Sequence, residues 1–308
     1  MKALITGVAG FSGCHLVARL RQEPQMQVFG LDIGPAAPTH QPLAGYWKAD
    51  LSDFDQVRAV VRSVSPHVIF NLAGLAGGPA PALYRVNTLA AVNLLEAARV
   101  ETPAARLLLI GSAAEYGRVE ASEMPITEKR ACNPVGAYGA SKLAMTRAAL
   151  DYAQGGLAVS VARPFNLIGA GIPRHLVVGA VLERALAALK EPAEPVVRVG
   201  RLDTERDYLA VEDAVDAYVR IAMGSHTGEV FNVCSGEPRT ILSVIERLLA
   251  RSPRPVRLET DPSLVRPGDV PTSYGSWEHL HEVTGFRPSI ALDSAIETAW
   301  RYAIGSGQ

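Results

Sequence analysis

The sequence predicts an α/β protein with a doubly wound parallel sheet and a smaller C-terminal α/β lobe. Short apolar runs alternate with helical patterns through the first half of the chain, and a glycine-rich turn follows the first run. Prolines then divide the second half into short elements. Because the strands of a parallel sheet are covered on both faces, they read as continuous apolar runs separated by helices. Ligands of such a sheet bind beyond the carboxyl ends of its strands.

The strands predicted in the first half are apolar runs bounded on both sides by helical or turn patterns. They cover residues 3–6, 28–32, 68–72, 107–110 and 159–162. The helices predicted between them cover residues 12–22, 54–64, 83–100 and 135–153. Residues 33–45, which are rich in Pro, Ala and Gly, are predicted to form a surface loop.

The second half has fewer clear elements, because prolines interrupt its pattern. The helices predicted there cover residues 176–190, 212–223, 240–250 and 292–302. We therefore expect one domain at residues 1–165 and a lobe at residues 166–308. Residues 207–233 are expected to return to the first domain.

Composition favours an ordinary globular protein. The 308 residues are 48% apolar and 20% charged, with a net charge of −1, so the sequence indicates neither a nucleic-acid partner nor a membrane surface. Cys14, Cys132 and Cys234 form no CxxC pair, which predicts no disulfide framework and no metal site. No signal peptide is predicted, and no apolar run reaches the ~18 residues of a membrane span. These features favour a cytoplasmic location.

The turn after the first strand has glycines at GxxGxxG spacing, at Gly7, Gly10 and Gly13. Glycine lets the backbone turn tightly and approach a pyrophosphate, and the following helix directs its free amides and positive dipole end at the phosphates. The turn therefore predicts a Rossmann-type dinucleotide site. Its other predicted contacts are Ala9, Phe11 and Ser12.

Asp32 ends the second strand, 19 positions after Gly13. A carboxylate there accepts hydrogen bonds from the adenosine ribose, whereas a 2′-phosphate would meet a like charge. The sequence thus favours NAD, with NADP as the alternative. The remaining predicted cofactor contacts are Asp50, Leu51, Leu72, Ala73, Tyr138, Lys142 and Pro164.

The predicted catalytic residues are Ser112, Tyr138 and Lys142. Tyr138 and Lys142 are four positions apart on a predicted helix, so both side chains lie on one helical face. A neighbouring ammonium is expected to lower the phenol pKa from about 10, which suits tyrosine for general acid–base work. Ser112 follows the strand at 107–110, where its hydroxyl can share the substrate oxygen that Tyr138 protonates.

These motifs together resemble the extended short-chain dehydrogenase/reductase family. The likeness also includes Asn71-Leu72-Ala73-Gly74, Gly111 to Gly117, Arg163-Pro164-Phe165-Asn166, Arg206-Asp207-Tyr208, Asn232 to Gly236 and Arg266 to Val270. The resemblance implies that Ser112, Tyr138 and Lys142 form the catalytic set. Its later motifs are typical of members that act on nucleotide-sugars.

In those members, the resemblance implies further substrate contacts. Arg206, Arg266 and Asn166 match residues on the diphosphate, and Asp269 matches an acid that holds the nucleotide ribose. The alternative for each arginine is a solvated residue or a carboxylate partner. Ser112, Ala113 and Val199 complete the predicted substrate-binding set.

Three activities of the family compete for this sequence: dehydration, reduction and 4-epimerisation of a nucleotide-sugar. Dehydratases resemble one another in the acids that follow the catalytic hydroxyl, but Ala113 and Ala114 cannot transfer protons and Glu115 lies one position too late. Residues 199–207 and 265–271 are similar to segments of reductases of GDP-linked 4-keto-6-deoxy sugars. We therefore expect NAD(P)H-dependent reduction of a C4 keto group. The alternatives are a nucleotide-sugar 4-epimerase that recycles bound NAD and a non-catalytic NAD(P)-binding sensor.

The resemblance also implies a homodimer that pairs through the helices at 83–100 and 135–153. Both helices are rich in alanine and leucine. Such a composition also fits simple packing of these helices on the sheet.

Overall fold

The computed structural model describes residues 1–34, 42–264 and 270–305. Its main sheet has seven strands, all paired in parallel. In chain order they are β1 (Lys2–Thr6), β2 (Gln27–Asp32), β3 (Gly45–Lys48), β4 (Val68–Asn71), β5 (Arg106–Ile110), β6 (Val159–Pro164) and, later, β10 (Val230–Val233). Their spatial order is β10-β6-β5-β4-β1-β2-β3, which reverses direction between β1 and β4. The predicted fold class is confirmed.

Helices cover both faces of this sheet. Successive strand residues point to opposite sides, so each face carries apolar side chains that helices bury. Ile5 packs with α1 (Phe11–Leu20) and α7 (Val211–Met223) in one apolar cluster. Leu4 packs in a second cluster with α2 (Phe54–Val64), α4 (Ala90–Glu101) and α5 (Ala137–Gln154). Both Leu4 and Ile5 are fully buried. The sheet is therefore the central layer of three.

The helix predicted at 83–100 is divided into three parts. It begins as α3 (Ala80–Leu83), continues as a π-helical segment at Tyr84–Leu89, and ends as α4. Single π-helical turns inside α-helices are common at functional sites. In this chain the π-helical segment contains Asn87, a buried residue that hydrogen-bonds to Ser141 on α5.

Among its described residues, the C-terminal lobe contains two small sheets and four α-helices. The larger sheet pairs β7 (Asn166–Ile168), β9 (Glu205–Ala210), β11 (Pro238–Thr240) and β13 (Thr272–Ser273), and the smaller pairs β8 (Val196–Val199) with β12 (Arg257–Thr260). The helices are α6 (Val177–Ala188), α8 (Ile241–Leu249), α9 (Glu278–Thr284) and α10 (Leu292–Gly305). Three of them, α6, α8 and α10, enclose a third apolar cluster with these strands.

The sequence did not predict the strands of this lobe. They are two to six residues long and lie among loops that contain many prolines, so their apolar residues form no run that distinguishes a strand from a loop. Within the described part of the chain, no helix is long and apolar enough to cross a membrane.

Candidate active site

The glycine turn follows β1 and requires glycine at two positions. Gly7 has φ +67°, and a Cβ there would lie 2.7 Å from the backbone nitrogen of Ala73. A Cβ on Gly13 would lie 2.4 Å from the carbonyl oxygen of Gly7. The turn is therefore held directly against the loop that follows β4, which brings the predicted contact Ala73 beside the first helix.

The turn and α1 provide the donors that a diphosphate requires. In the described structure, Gly10 caps α1 without a side-chain hydrogen bond, and the first turn of the helix carries no acidic residue. The amides at this end are therefore free of the side-chain acceptor that usually satisfies them. This arrangement, together with the crowded glycine positions, fits a dinucleotide cofactor seated on Gly7, Ala9, Gly10, Phe11, Ser12 and Gly13.

Asp32 lies at the end of β2, as predicted, and faces the glycine turn. Its Oδ2 accepts a hydrogen bond from the Ala9 amide at 2.9 Å, and its Oδ1 accepts one from the Ile33 amide at 2.8 Å. These bonds fix the carboxylate at the edge of the turn, where a ribose hydroxyl can reach its remaining lone pairs.

The other predicted cofactor residues occupy the same end of the sheet. Leu72 donates its amide to the carbonyl of Thr6, and Pro164 ends β6. Asp50 receives the Ser52 amide and hydroxyl at 2.9 and 2.8 Å, so its carboxylate also stabilises a local turn. Leu51 is 7% exposed and its carbonyl accepts from Asn93, which leaves mainly its backbone for an adenine contact.

Ser112 and Tyr138 meet at the carboxyl end of β5. The Ser112 hydroxyl lies near the Tyr138 phenol and lowers the pKa of that phenol through a hydrogen-bonding interaction. Tyr138 is half-buried at the start of α5, and Ser112 lies in the turn that follows β5. The sequence prediction placed these two residues together, and the structure positions them near each other at this strand end.

Lys142 lies one helical turn after Tyr138 and is 6% exposed. Its Nζ donates to the carbonyl oxygen of Ile110 at 2.8 Å, and a Cβ on Gly74 would lie 3.1 Å from that nitrogen. Burial lowers the pKa of Lys142 to about 8, an effect that the negative charge of Glu115 opposes. The ammonium is thus placed between the ends of β4 and β5.

The Tyr138 phenol is held in its neutral form. Burial raises its pKa above 10, and the hydrogen bond from Ser112 offsets part of that rise. The sequence predicted the opposite direction, from the neighbouring ammonium. The difference arises because desolvation is the largest influence on the phenol and because Lys142 bonds to the Ile110 carbonyl. A neutral phenol is the form that donates a proton.

A buried ionic cluster lies behind Ser112, and the sequence did not predict it. Glu115 is fully buried and accepts from the Ser112 amide at 2.9 Å, the Thr146 hydroxyl at 2.9 Å and Arg163 Nε at 2.8 Å. Arg163 also donates to the Tyr116 hydroxyl at 3.1 Å. The only sequence signal was the charge of two residues inside otherwise apolar motifs.

Asn87 is a second residue that the sequence did not indicate. It is 1% exposed, and its Nδ2 donates to the Leu75 carbonyl and to the Ser141 hydroxyl, both at 3.0 Å. Its Oδ1 accepts from the Leu75 amide at 2.8 Å. Asn87 therefore joins the loop after β4 to the helix that carries Tyr138 and Lys142.

Two of the predicted substrate residues lie on neighbouring strands of the lobe. Asn166 begins β7 and donates its side-chain amide to the carbonyl of Asp207 at 3.0 Å. Arg206 lies on β9, and its Nη1 donates to the Glu205 carbonyl at 2.7 Å. Asp207 is fully buried and holds the Ser235 and Gly236 amides at 2.7 and 2.9 Å, so it anchors this sheet.

The remaining substrate predictions are placed less directly. Ala113 follows Ser112 in the turn after β5, as predicted. The Val199 side chain is 3% exposed and packs in the core of the lobe, and its carbonyl accepts from the Asp261 amide at 2.8 Å. Arg266 and Asp269 lie outside the described residues.

A cavity of about 680 Å³ lies in the lobe, apart from the catalytic residues. It is lined by Arg184, Ala187, Val196, Val197, Arg198, Glu259, Asp261 and Leu264. None of the described residues that the sequence predicted for substrate lines this space. Among the described residues, no cluster of His, Cys, Asp and Glu has the arrangement of a metal site.

Comparisons with known proteins agree with this geometry. Residues 3–234 match the model of the NAD dependent epimerase/dehydratase family. GDP-6-deoxy-D-mannose reductase from Pseudomonas aeruginosa is 30% identical over 305 residues, which cover 96% of this chain and 94% of that protein.

Two solved structures show how far the likeness extends. RMD from Pseudomonas aeruginosa, complexed with NADPH, superposes with a TM-score of 0.87 at 27% identity and covers 99% of both chains. UDP-glucose 4-epimerase from Thermus thermophilus, complexed with NAD, also gives 0.87 at 27% identity, covering 99% of this chain and 100% of that one. The predicted NAD(P) dependence is thereby confirmed, with both cofactors present among similar proteins.

Proposed function

The chain belongs to the NAD dependent epimerase/dehydratase family, and from that premise we propose that it reduces the C4 keto group of a nucleotide-linked 4-keto-6-deoxy sugar. A GDP-sugar is favoured, because the similar reductase from Pseudomonas aeruginosa is named for one. The observation that carries the proposal is the placement of Ser112, Tyr138 and Lys142 together at the carboxyl end of β5, where Lys142 Nζ donates to the Ile110 carbonyl at 2.8 Å, in the sheet that also carries the glycine turn.

In this reaction a reduced nicotinamide supplies a hydride to C4 of the sugar. The C4 carbonyl accepts two electrons, and its oxygen takes the phenolic proton of Tyr138 and becomes a hydroxyl. The raised pKa of Tyr138 supports this direction, because it keeps the phenol protonated before the reaction. The phenolate left behind is stabilised by the Ser112 hydroxyl and by the positive charge of Lys142.

Ser112 and Lys142 have separate tasks in this proposal. The Ser112 hydroxyl holds the keto oxygen in line with the phenol, which lowers the entropic barrier of the transfer. Lys142, fixed by Ile110, supplies the charge that favours the phenolate as it forms. Asp32 binds the adenosine ribose and selects NADH over NADPH.

The substrate diphosphate would lie against the small sheet of the lobe. Asn166 and Arg206 are on adjacent strands there, and Asp207 holds those strands together. Guanidinium groups bind phosphate through two parallel hydrogen bonds, which suits Arg206 and Arg266 for this task. We assign the nucleotide ribose to Asp269, and we keep Ala113 and the backbone of Val199 as further substrate contacts.

The second candidate is a nucleotide-sugar 4-epimerase, which the similarity to the Thermus thermophilus enzyme favours. The two activities differ in cofactor turnover. A reductase oxidises one NADH for each sugar converted, whereas an epimerase returns its cofactor to the starting state. Incubation with a 4-keto sugar and NADH is expected to consume both in equal amounts. Conversion of a sugar without net loss of NADH would identify an epimerase instead.

The nucleotide is tested by thermal unfolding with GDP-, UDP-, dTDP- and CDP-sugars. A ligand that binds only the native state raises the unfolding temperature with its affinity. We expect the largest rise with GDP-sugars. Equal shifts with all four would contradict a preference for guanine.

The homodimer proposed from the sequence is supported by the outer face of the helices. Tyr84 and Leu89 of the π-helical segment are 43% and 48% exposed, and a cavity of about 360 Å³ lies beside Tyr84, Leu143 and Arg147. Exposed apolar groups on such a face are typical of an interface. Light scattering would measure the mass, and a monomer would reject the dimer.

We also propose a cytoplasmic location and a domain division at residue 165. The position of β10 in the main sheet supports the return of residues 207–233 to the first domain.

A further inference from the structure

The buried carboxylate of Glu115 joins three parts of the candidate site. Its Oε1 accepts from the Ser112 amide, and its Oε2 accepts from Thr146 and Arg163, all at 2.8 to 2.9 Å. Glu115 is 0% exposed and Thr146 is also fully buried. Burial of a charged group is costly unless it is paired, and Glu115 has a cation and two hydrogen-bond donors that offset its desolvation.

The hydrogen bond from the Thr146 hydroxyl connects Glu115 to α5. Tyr138, Lys142 and Thr146 are spaced four residues apart on α5, so all three lie along one face. Glu115 therefore connects the turn that carries Ser112 to the same helical face that carries the phenol and the ammonium. The distance between the serine and the phenol depends on this connection.

The glycine before Ser112 provides space for the carboxylate. A Cβ on Gly111 would lie 2.4 Å from Glu115 Oε1, closer than any real contact. Glycine at this position thus admits the carboxylate to the Ser112 amide. The Gly111-Ser112 pair and Glu115 act as one structural unit.

Arg163 neutralises the carboxylate from the next strand, β6. Its guanidinium lies over the Tyr116 ring, 4.8 Å from the centroid, and the Tyr116 hydroxyl donates to Asn232 on β10 at 2.7 Å. Glu115 is therefore held by the main sheet on one side and by α5 on the other. Its position is fixed independently of any ligand.

We propose that Glu115 is a positioning residue: its carboxylate holds the Ser112 amide against the face of α5 so that the Ser112 hydroxyl stays aligned with Tyr138. This inference rests on the proposed function, because it assigns Ser112 to the reacting oxygen. It gives Glu115 no proton transfer. It differs from the acid pair of dehydratases, because the Glu115 carboxylate faces the protein interior.

The test compares two double variants that differ in one hydrogen bond. Glu115→Gln/Arg163→Met removes both charges but keeps an amide oxygen that can accept from the Ser112 amide. Glu115→Leu/Arg163→Met removes the charges and that acceptor. Replacing a buried ion pair by apolar groups is often neutral for stability, so both variants are expected to fold. Asp213→Asn is the matched control. Asp213 is a buried carboxylate outside the candidate site, and it accepts hydrogen bonds from the Ser289 and Ile290 amides.

The glutamine variant is expected to keep kcat within a few-fold of the wild type, and the leucine variant to lose about 100-fold, the cost of a misplacement of about 1 Å. The KM for NADH should stay unchanged in both, and Asp213→Asn should keep kcat. Equal kcat values in the two double variants would overturn the proposal. If neither double variant folds, Thr146→Val tests the link to α5, and an unchanged kcat in that variant would overturn it.

Crystal structures separate this inference from the proposed function. If the wild type converts no nucleotide-sugar, the proposed function fails, but the structures of the two double variants still decide the role of Glu115. The Ser112–Tyr138 hydrogen bond should persist in the glutamine variant and be lost in the leucine variant. A hydrogen bond retained in both would overturn the positioning role.

Discussion

The Nζ of Lys142 donates to the carbonyl oxygen of Ile110 at 2.8 Å, which fixes the buried ammonium at the end of β5. Ser112 follows Ile110 by two residues, and its hydroxyl meets Tyr138 from the other side. The lysine thus anchors α5 to the strand that presents the serine. The end of β5 thus positions both Lys142 and Ser112 around the start of α5, and the proposed chemistry depends on that arrangement.

Tyr138→Phe is expected to lower kcat by about 10²–10⁴-fold, the usual contribution of a general acid. The ring remains in place, so the affinity for NADH should change little. The kcat is measured from product formed in timed assays, and the affinity for NADH from its quenching of protein fluorescence. Tyr302→Phe, at an exposed tyrosine of α10, is the control and should leave both unchanged. Normal turnover in Tyr138→Phe would reject the catalytic assignment.

The rate is expected to fall as the pH rises through about 8, because Lys142 loses its proton there. The contribution of Lys142 to the free energy of unfolding changes with pH in the opposite direction. The folded pKa of Lys142 lies below its unfolded value of 10.5, so between about pH 8 and 10.5 the unfolded chain binds more protons and this group adds stability as the pH rises.

The pH dependence is checked by measuring kcat and the free energy of unfolding at each pH. A loss of rate without a loss of stability would show that the ammonium, and not the fold, is limiting. A rate that stays constant to pH 10 would contradict the role of Lys142.

Asp32→Asn is expected to weaken NADH binding by about tenfold or more, because hydrogen bonds to a charged group contribute about 1.5–3 kcal/mol. NADPH binding should weaken less, since removal of the carboxylate also removes its repulsion of a 2′-phosphate. Titration calorimetry with both cofactors measures the ratio. Asp53→Asn, at the cap of α2, is the control. An unchanged ratio of the two affinities would remove Asp32 from cofactor selection.

Gly13→Ala is expected to destabilise the protein by about 1–3 kcal/mol, as overpacking usually does. The new methyl group would lie 2.4 Å from the Gly7 carbonyl, so the turn must move and cofactor affinity should fall as well. Denaturant unfolding and NADH binding measure the two effects. Gly305→Ala, where a Cβ meets nothing within 4 Å, should change neither. A Gly13→Ala protein with full stability and affinity would show that the turn tolerates a side chain.

The positions of the glycine turn, Asp32, Tyr138 and Lys142 in the fold were predictable because these residues lie in short local motifs. The glycine spacing, Asp32 at a strand end and the four-residue interval from Tyr138 to Lys142 can each be read from neighbouring positions. Five strands of the main sheet were predictable for a similar reason, since they are continuous apolar runs. β3 and β10 were not predicted, because β3 is only partly buried and β10 is a four-residue strand that contains the polar Asn232.

The cluster around Glu115 was not predictable from local patterns. Its partners Thr146 and Arg163 are 31 and 48 residues away, and only the packing of α5 and β6 on the sheet brings them together. The short strands of the lobe were missed because they pair across long separations, as Asn166 does with Tyr208. The direction of the Tyr138 pKa was also missed, because desolvation depends on burial that no motif records.

The most direct test of the account follows the hydride itself. The protein is incubated with NADH deuterated at the transferring position and with a GDP-linked 4-keto-6-deoxy sugar, and the product is examined by mass spectrometry and proton NMR. The account predicts one deuterium per product molecule, bound at C4, with one cofactor oxidised for each. A product without deuterium at C4, or deuterium that remains entirely in the cofactor, would contradict it.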